Sequence, residues 1–304
     1  MDYNYNIEPF QNDFIDNFMK TFPGMYNRED LEIILKQNVL DLDCNLDSDC
    51  NLGAYSPFKR KIELVQENPH VLFHEFIHGL RTNSLWMYNP ELSGIEEAFT
   101  EYATCVYSIC SKDGFKQSYP KRKFVTISNK EYKIKHILSY DTLVFIIEQL
   151  EFVNSFVDSD ETLLETFLQR KNIYEKIKNI YMKYYQLTGV FNPEDEAEKD
   201  TIAFILKLNS IVVKMQEEAT CIDMSQGEYK LDPTTKKEVA FIVQSLEDEM
   251  LDMLYVLSDG KYNQKLYNEL AIINYSYNFM ETLDLNIVGQ QPKDVVLVKK
   301  LLNI

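Results

Sequence analysis

The residues of this chain best suited to chemistry lie in the run Asn68-Pro69-His70-Val71-Leu72-Phe73-His74-Glu75-Phe76-Ile77-His78-Gly79. Asn68 suits a helix N-cap and Pro69 a first helical position, so a helix is predicted to begin just before the histidines. On that helix His74 and His78, four apart, share a face and can turn both imidazoles toward one ion. Glu75 then points beside the ion, where a base that takes a proton from an activated water must stand. The chain has four histidines in all, so two of them in this relation to a glutamate make metal chemistry the leading reading. His70 shares the face, but eight residues set it about 12 Å along the axis from His78, too far for all three to bind one ion. It is expected to be a first-turn residue or to support a ligand.

A hydrolytic zinc needs a third protein ligand and an open position. If the third ligand were a histidine of the same segment, Gly and His would stand three and six residues beyond His78. Those positions are Arg81 and Ser84. A glutamate from a second helix remains, and Ser93-Gly94-Ile95-Glu96-Glu97-Ala98-Phe99-Thr100-Glu101 supplies one. Ser93 and Glu96 stand in capping-box relation, which predicts a helix start at Ser93 and occupies Glu96 there. Glu97 is then free to bind metal. Glu101, one turn further, can hydrogen-bond a ligating imidazole and fix its tautomer. One zinc ion per chain on His74, His78 and Glu97 is the expectation.

His74-Glu75-x-x-His78, eighteen intervening residues and then Glu97, with Glu101 four further on, resembles the gluzincin clan of zinc metallopeptidases. That clan includes thermolysin-like and aminopeptidase families, and the resemblance covers about residues 53 to 110. It implies hydrolysis of peptide bonds with Glu75 as the base, and an edge strand, Gly53 to Val65, that pairs with an extended peptide. It also implies a Tyr or His from a second lobe that donates to the oxyanion. Tyr140 is the first choice, with His136, Tyr132 and Tyr119 behind it. The aminopeptidases hold the substrate's N-terminus with a glutamate in a Gly-x-Met-Glu-Asn-like strand. The nearest stretch here, Gly53-Ala54-Tyr55-Ser56-Pro57, has no acid, so endopeptidase action is expected. The thermolysin-type ligand helix begins Asn-Glu where this one has Glu96-Glu97. The rival from another class is a non-catalytic zinc-containing binding protein whose helical part recognises a partner. An intact Glu75 weighs against it, because a structural site needs no base.

Several elements must position these groups. Up to about residue 66, a helix-like stretch (Asp30 to Gln37) mixes with strand-like runs at Asn38 to Leu42 and at Gly53 to Val65, the latter with a Ser56-Pro57 turn. Lys112 to Lys135 reads as irregular. Beyond Tyr140 amphipathic helix dominates, with start signals at Asp141, Asp160, Asn192-Pro193 and Asp232-Pro233. Stripes such as Leu143, Ile146, Ile147 and Leu150, or Ile202, Ile205 and Leu206, or Ile242, Val243, Leu246 and Met250 are expected to face the core. Asp41, Asp43, Asn45, Asp47 and Asp49 alternate like a calcium loop, but Leu46 and Leu52 stand where Gly and Glu are required, so an acidic strand and turn is expected. The fold class predicted is α+β: a zincin-like catalytic lobe with a small sheet (1–136), then a mainly helical lobe (137–304) that completes the cleft.

Composition narrows the partners. The 304 residues are 45% hydrophobic and 13% aromatic, enough apolar surface for a sizeable core. Lys and Arg number 31 against 48 Asp and Glu, so 31 − 48 = −17, a charge that repels nucleic acid and anionic lipid. The expected partner is a peptide or protein substrate, with no nucleic acid and no membrane. The N-terminus has neither a basic nor an apolar signal region. The five cysteines form no CxxC pair and suit a reducing compartment. A cytoplasmic setting is expected, with signal-independent export as the other route.

Overall fold

The structure is a computed structural model that describes residues 8–42, 53–64, 69–81, 92–110, 123–127, 130–134, 141–158, 160–217, 219–223, 228–231 and 233–261. The first part runs α1 (Glu8–Thr21), α2 (Arg28–Lys36), β1 (Val39–Leu42), β2 (Gly53–Ser56), β3 (Lys61–Leu64), α3 (Pro69–Leu80) and α4 (Ser93–Cys110). β3 is the central strand of a three-stranded sheet. β1 lies parallel to it with Val39 opposite Lys61, and β2 lies antiparallel with Gly53 opposite Leu64. The run expected as one edge strand, Gly53 to Val65, thus folds as a hairpin whose strands are joined through residues 57–60, and among the described strands its first half, β2, is an edge and β3 is central.

Helix α3 begins at Pro69 as its sequence requires. Leu72, Phe73, Phe76, Ile77 and Leu80 are buried, so the helix runs through the core. Behind it stands α1, which the sequence reading did not find. Phe14, Phe18 and Phe22 recur every fourth residue, a helical stripe in plain view. Phe14 packs its ring 4.9 Å from Phe76 and 5.7 Å from Phe73. α4 lies against α3 and buries Ile95, Ala98, Phe99, Tyr102 and Val106.

The later part runs β4 (Lys123–Ile127), β5 (Lys130–Ile134), α5 (Asp141–Asn154), α6 (Leu163–Leu168), α7 (Ile173–Thr188), α8 (Pro193–Glu217), β6 (Ala219–Asp223), β7 (Glu228–Leu231) and α9 (Pro233–Leu257). A small sheet followed by a mostly helical region is therefore the observed architecture. Four expectations are corrected. The stretch read as irregular holds the β4–β5 hairpin, and β6–β7 interrupts the helical half. α6 starts at Leu163 under a Thr162–Glu165 capping box, not at Asp160. Ile202 and Leu206 are 45% and 49% exposed, because α8 turns Phe204, Ile205, Leu208 and Ile211 inward instead. Periodicity marks the apolar side of a helix but not how much of it a neighbour covers. The predicted starts at Asp141, Pro193 and Pro233 stand.

Two links tie the halves at the site. Asn209 of α8 accepts at Oδ1 from Ser93 Oγ (2.7 Å) and from the Gly94 N–H (3.2 Å), closing the N-terminus of α4. Gly94 is needed there, since a Cβ would meet the Asn209 nitrogen at 2.3 Å. At the end of α3, Arg81 donates to the Phe167 carbonyl and lies 3.7 Å from the centre of the Phe167 ring, while Arg170 donates to the Leu80 carbonyl. Among the described residues no helix is long and apolar enough to cross a membrane.

Candidate metal centre

Four residues of spacing on each of two facing helices bring the ligand types together. His74 and His78 project from α3 toward Glu97 and Glu101 of α4. His74 Nε2 lies 3.1 Å from His78 Nε2 and 3.2 Å from Glu97 Oε2, and His78 Nε2 lies 3.4 Å from Glu97 Oε1. His74, His78 and Glu97 each offer one ligand atom within 4.8 Å of the others, and they form a group able to hold a metal ion. A tetrahedral zinc with bonds of about 2.0–2.1 Å has edges of about 3.3–3.4 Å, so the donor set fits that ion in both spacing and chemistry.

The outer nitrogens are also engaged. His74 Nδ1 lies 2.9 Å from Glu101 Oε2, so its N–H donates to that carboxylate and Nε2 is aimed at His78 and Glu97. The other oxygen of Glu101 meets His70 Nε2 at 2.9 Å and accepts from Cys105 Sγ at 3.7 Å. His78 Nδ1 lies 3.4 Å from Thr100 Oγ1 and 3.8 Å from Glu96 Oε1.

The electrostatics follow from burial and pairing. Burial alone would lower His78, but Glu97's charge and its contacts with Glu96 and Glu97 push it up to about 9. His74 is likewise raised, its burial outweighed by Glu101 and Glu97. Burial raises Glu97 and Glu101, yet the adjacent imidazoles hold both well below the usual carboxylate range. Glu75 shifts the other way: burial raises it, and the nearby histidines offset that only in part. A Cβ at Gly53 would meet Val71 Cγ1 at 2.4 Å and Leu64 Cδ2 at 2.8 Å and stand 3.2 Å from Glu75 Oε1, so the lack of a side chain lets the start of β2 lie close against α3 beside this carboxylate.

Glu96 departs from the expectation. It does not fold back to Ser93. Its oxygens accept from Arg81 Nε at 2.9 and 3.2 Å, and the pair is buried, with Arg81 only 1% exposed. The cap it was expected to supply comes from Asn209, over a hundred residues on, which no local pattern announces. Arg81, Thr100 and Asn209 were all missed in the sequence. The hint for Arg81 was a lone cation directly after an apolar helix. Tyr140, His136 and Tyr119 lie outside the described residues, as do the side chain of Tyr132 and the acidic run beyond Asp41 apart from its first residue.

No protein-family model matches this chain, and neither the curated proteins nor the solved structures give a match. The arrangement itself, a His-Glu-x-x-His helix with a third carboxylate from the next helix, is of the kind that zinc-dependent metalloenzymes use.

Proposed function

We propose that the chain is a zinc metallopeptidase of gluzincin type that hydrolyses internal peptide bonds. His74, His78 and Glu97 would hold one zinc ion per chain, and Glu101 would orient His74. The observation that carries the reading is the convergence of His74 Nε2, His78 Nε2 and a Glu97 oxygen within 4.8 Å, with Glu75 one residue from the first ligand. A bound zinc polarises a carbonyl and lowers the pKa of water toward neutrality. Glu75 takes the proton from the attacking water on a carboxylate oxygen as the water oxygen bonds to the carbonyl carbon. It then delivers that proton to the amine nitrogen as the C–N bond breaks. Its raised affinity for protons suits both halves of this exchange.

The division into a zincin-like lobe (1–136) and a helical lobe (137–304), with the cleft between them, belongs to the same reading. So does an oxyanion donor at Tyr140. β2, at the edge of the described sheet with Glu75 beside its first residue, is assigned in this reading to pairing with an extended substrate.

The test is elemental analysis of protein prepared without chelator, together with cleavage of a peptide library by wild type and Glu75→Gln. About one zinc per chain, cleavage by wild type and a loss of about 10²-fold or more in the variant with zinc retained are expected. Absence of zinc removes the reading. Zinc without any cleavage points instead to a non-catalytic binding protein.

A further inference from the structure

His70 is the histidine that the proposed chemistry leaves unused. It stands four residues before His74 on α3, and its Nε2 lies 2.9 Å from Glu101 Oε1, while Glu101 Oε2 lies 2.9 Å from His74 Nδ1. The facing helices thus form an alternating ladder: His70, Glu101, His74, Glu97, His78. Its rungs run from the first turn of α3 to the last.

We propose that His70 is a positioning residue for the metal centre: by holding the outer oxygen of Glu101, it fixes the carboxylate plane that orients His74. This rests on the metal reading of the site. Glu101 is 7% exposed, and a carboxylate so placed needs partners on both oxygens. With only His74 to hold it, Glu101 could turn about its terminal bond, and the direction of the His74 N–H, which sets the aim of Nε2, would be lost. Cys105, at 3.7 Å, is the weaker partner of the same oxygen and cannot replace an imidazole N–H. His70 does not itself ligate: its Nε2 is turned to Glu101 and it stands outside the group that converges on the ion.

The experiment is zinc competition against a chromophoric chelator on the full chain, with urea unfolding of the metal-free form in parallel. Glu101→Ala should weaken zinc about 10- to 100-fold, and His70→Ala about 3- to 10-fold. His70→Gln places an amide N–H where the imidazole Nε2 lies and should stay within about twofold of wild type. In a Glu101→Ala background, the further change His70→Ala should alter zinc affinity by less than about twofold, because the partner through which His70 acts is gone. Should His70→Ala not fold, His70→Asn, one methylene shorter than Gln, serves as the loss variant. The inference is overturned if the loss variant binds zinc like wild type, if His70→Gln is equally weak, or if the loss persists without Glu101. A wild type that takes up no zinc overturns the metal reading and this inference with it. Zinc-binding wild type with an indifferent His70 overturns this inference alone.

Discussion

Gly94 stands three residues before Glu97 and touches no ligand, yet it should control the metal centre. A Cβ built there would lie 2.3 Å from the Asn209 nitrogen, 2.4 Å from its Cα and 2.6 Å from the Leu208 carbonyl carbon. All three are backbone atoms of α8, so no side chain can yield, and relief to an ordinary 3.4 Å contact requires α4 and α8 to part by about 1 Å. Two effects oppose each other in Gly94→Ala. Helix propensity favours alanine by about 0.8–1 kcal/mol. Overpacking of this kind costs about 1–3 kcal/mol or more, and parting the helices also strains the two hydrogen bonds to Asn209 Oδ1. The steric term should win, giving net destabilisation of about 2 kcal/mol. Because Glu97 rides on the same helix, zinc affinity should fall about tenfold or more, in line with the sensitivity of such sites to ångström displacements. Urea unfolding of the metal-free protein and chelator competition measure the two effects. A Gly94→Ala protein more stable than wild type with zinc affinity intact would refute the close approach of α4 to α8.

The adjacent acids should part company, with a larger stability cost at Glu96 than a capping account gives. Glu97→Ala should lose zinc with the fold kept, whereas Glu96→Ala leaves Arg81 buried without its carboxylate and should cost about 3–5 kcal/mol rather than the ~1 kcal/mol of a lost cap; equal urea midpoints for the two variants would contradict this. Zinc uptake at pH 7 should release about two protons, because the neighbouring carboxylates, outweighing burial, hold both metal-free imidazoles protonated: Glu101 and Glu97 raise His74, and Glu97's charge pushes His78 up to about 9. Calorimetry in buffers of different ionisation enthalpy counts those protons, and zinc affinity should rise as pH rises toward 9. Glu151 of α5, which accepts from the Leu163 and Leu164 N–H groups at 2.9 and 2.6 Å, is pushed up by burial to about 7 from an ordinary 4.5. The native state then keeps a proton that the unfolded chain gives up. Stability from this group is lost as pH rises from about 4.5 through 7, by at most about 3 kcal/mol, and Glu151→Gln should flatten that slope in unfolding measured from pH 4 to 8.

What one helix can do by itself was legible in the sequence. Pro69 marked the start of α3, spacing of four put His74 and His78 on one side, and the same spacing put Glu97 and Glu101 on one side of α4, since the helical repeat makes residues four apart neighbours wherever the helix lies. Whether those two sides face each other is a matter of packing between elements, and only the tertiary structure decided it. The same holds for the two adjacent glutamates. A capping box is a local competition that Ser93 and Glu96 could have won, but Asn209 took the α4 N-terminus from across the fold and a buried Arg81 drew Glu96 to itself. Glu97 ended beside the histidines with the cap argument removed, because the 100° step between neighbours sends Glu96 to Arg81 and Glu97 to the imidazoles. The exposure of Ile202 and Leu206 and the close approach of Gly53 to Val71 and Leu64 were also beyond the sequence. Each depends on which surface comes to lie opposite, and long-range packing fixes that choice with interactions no short window of residues contains.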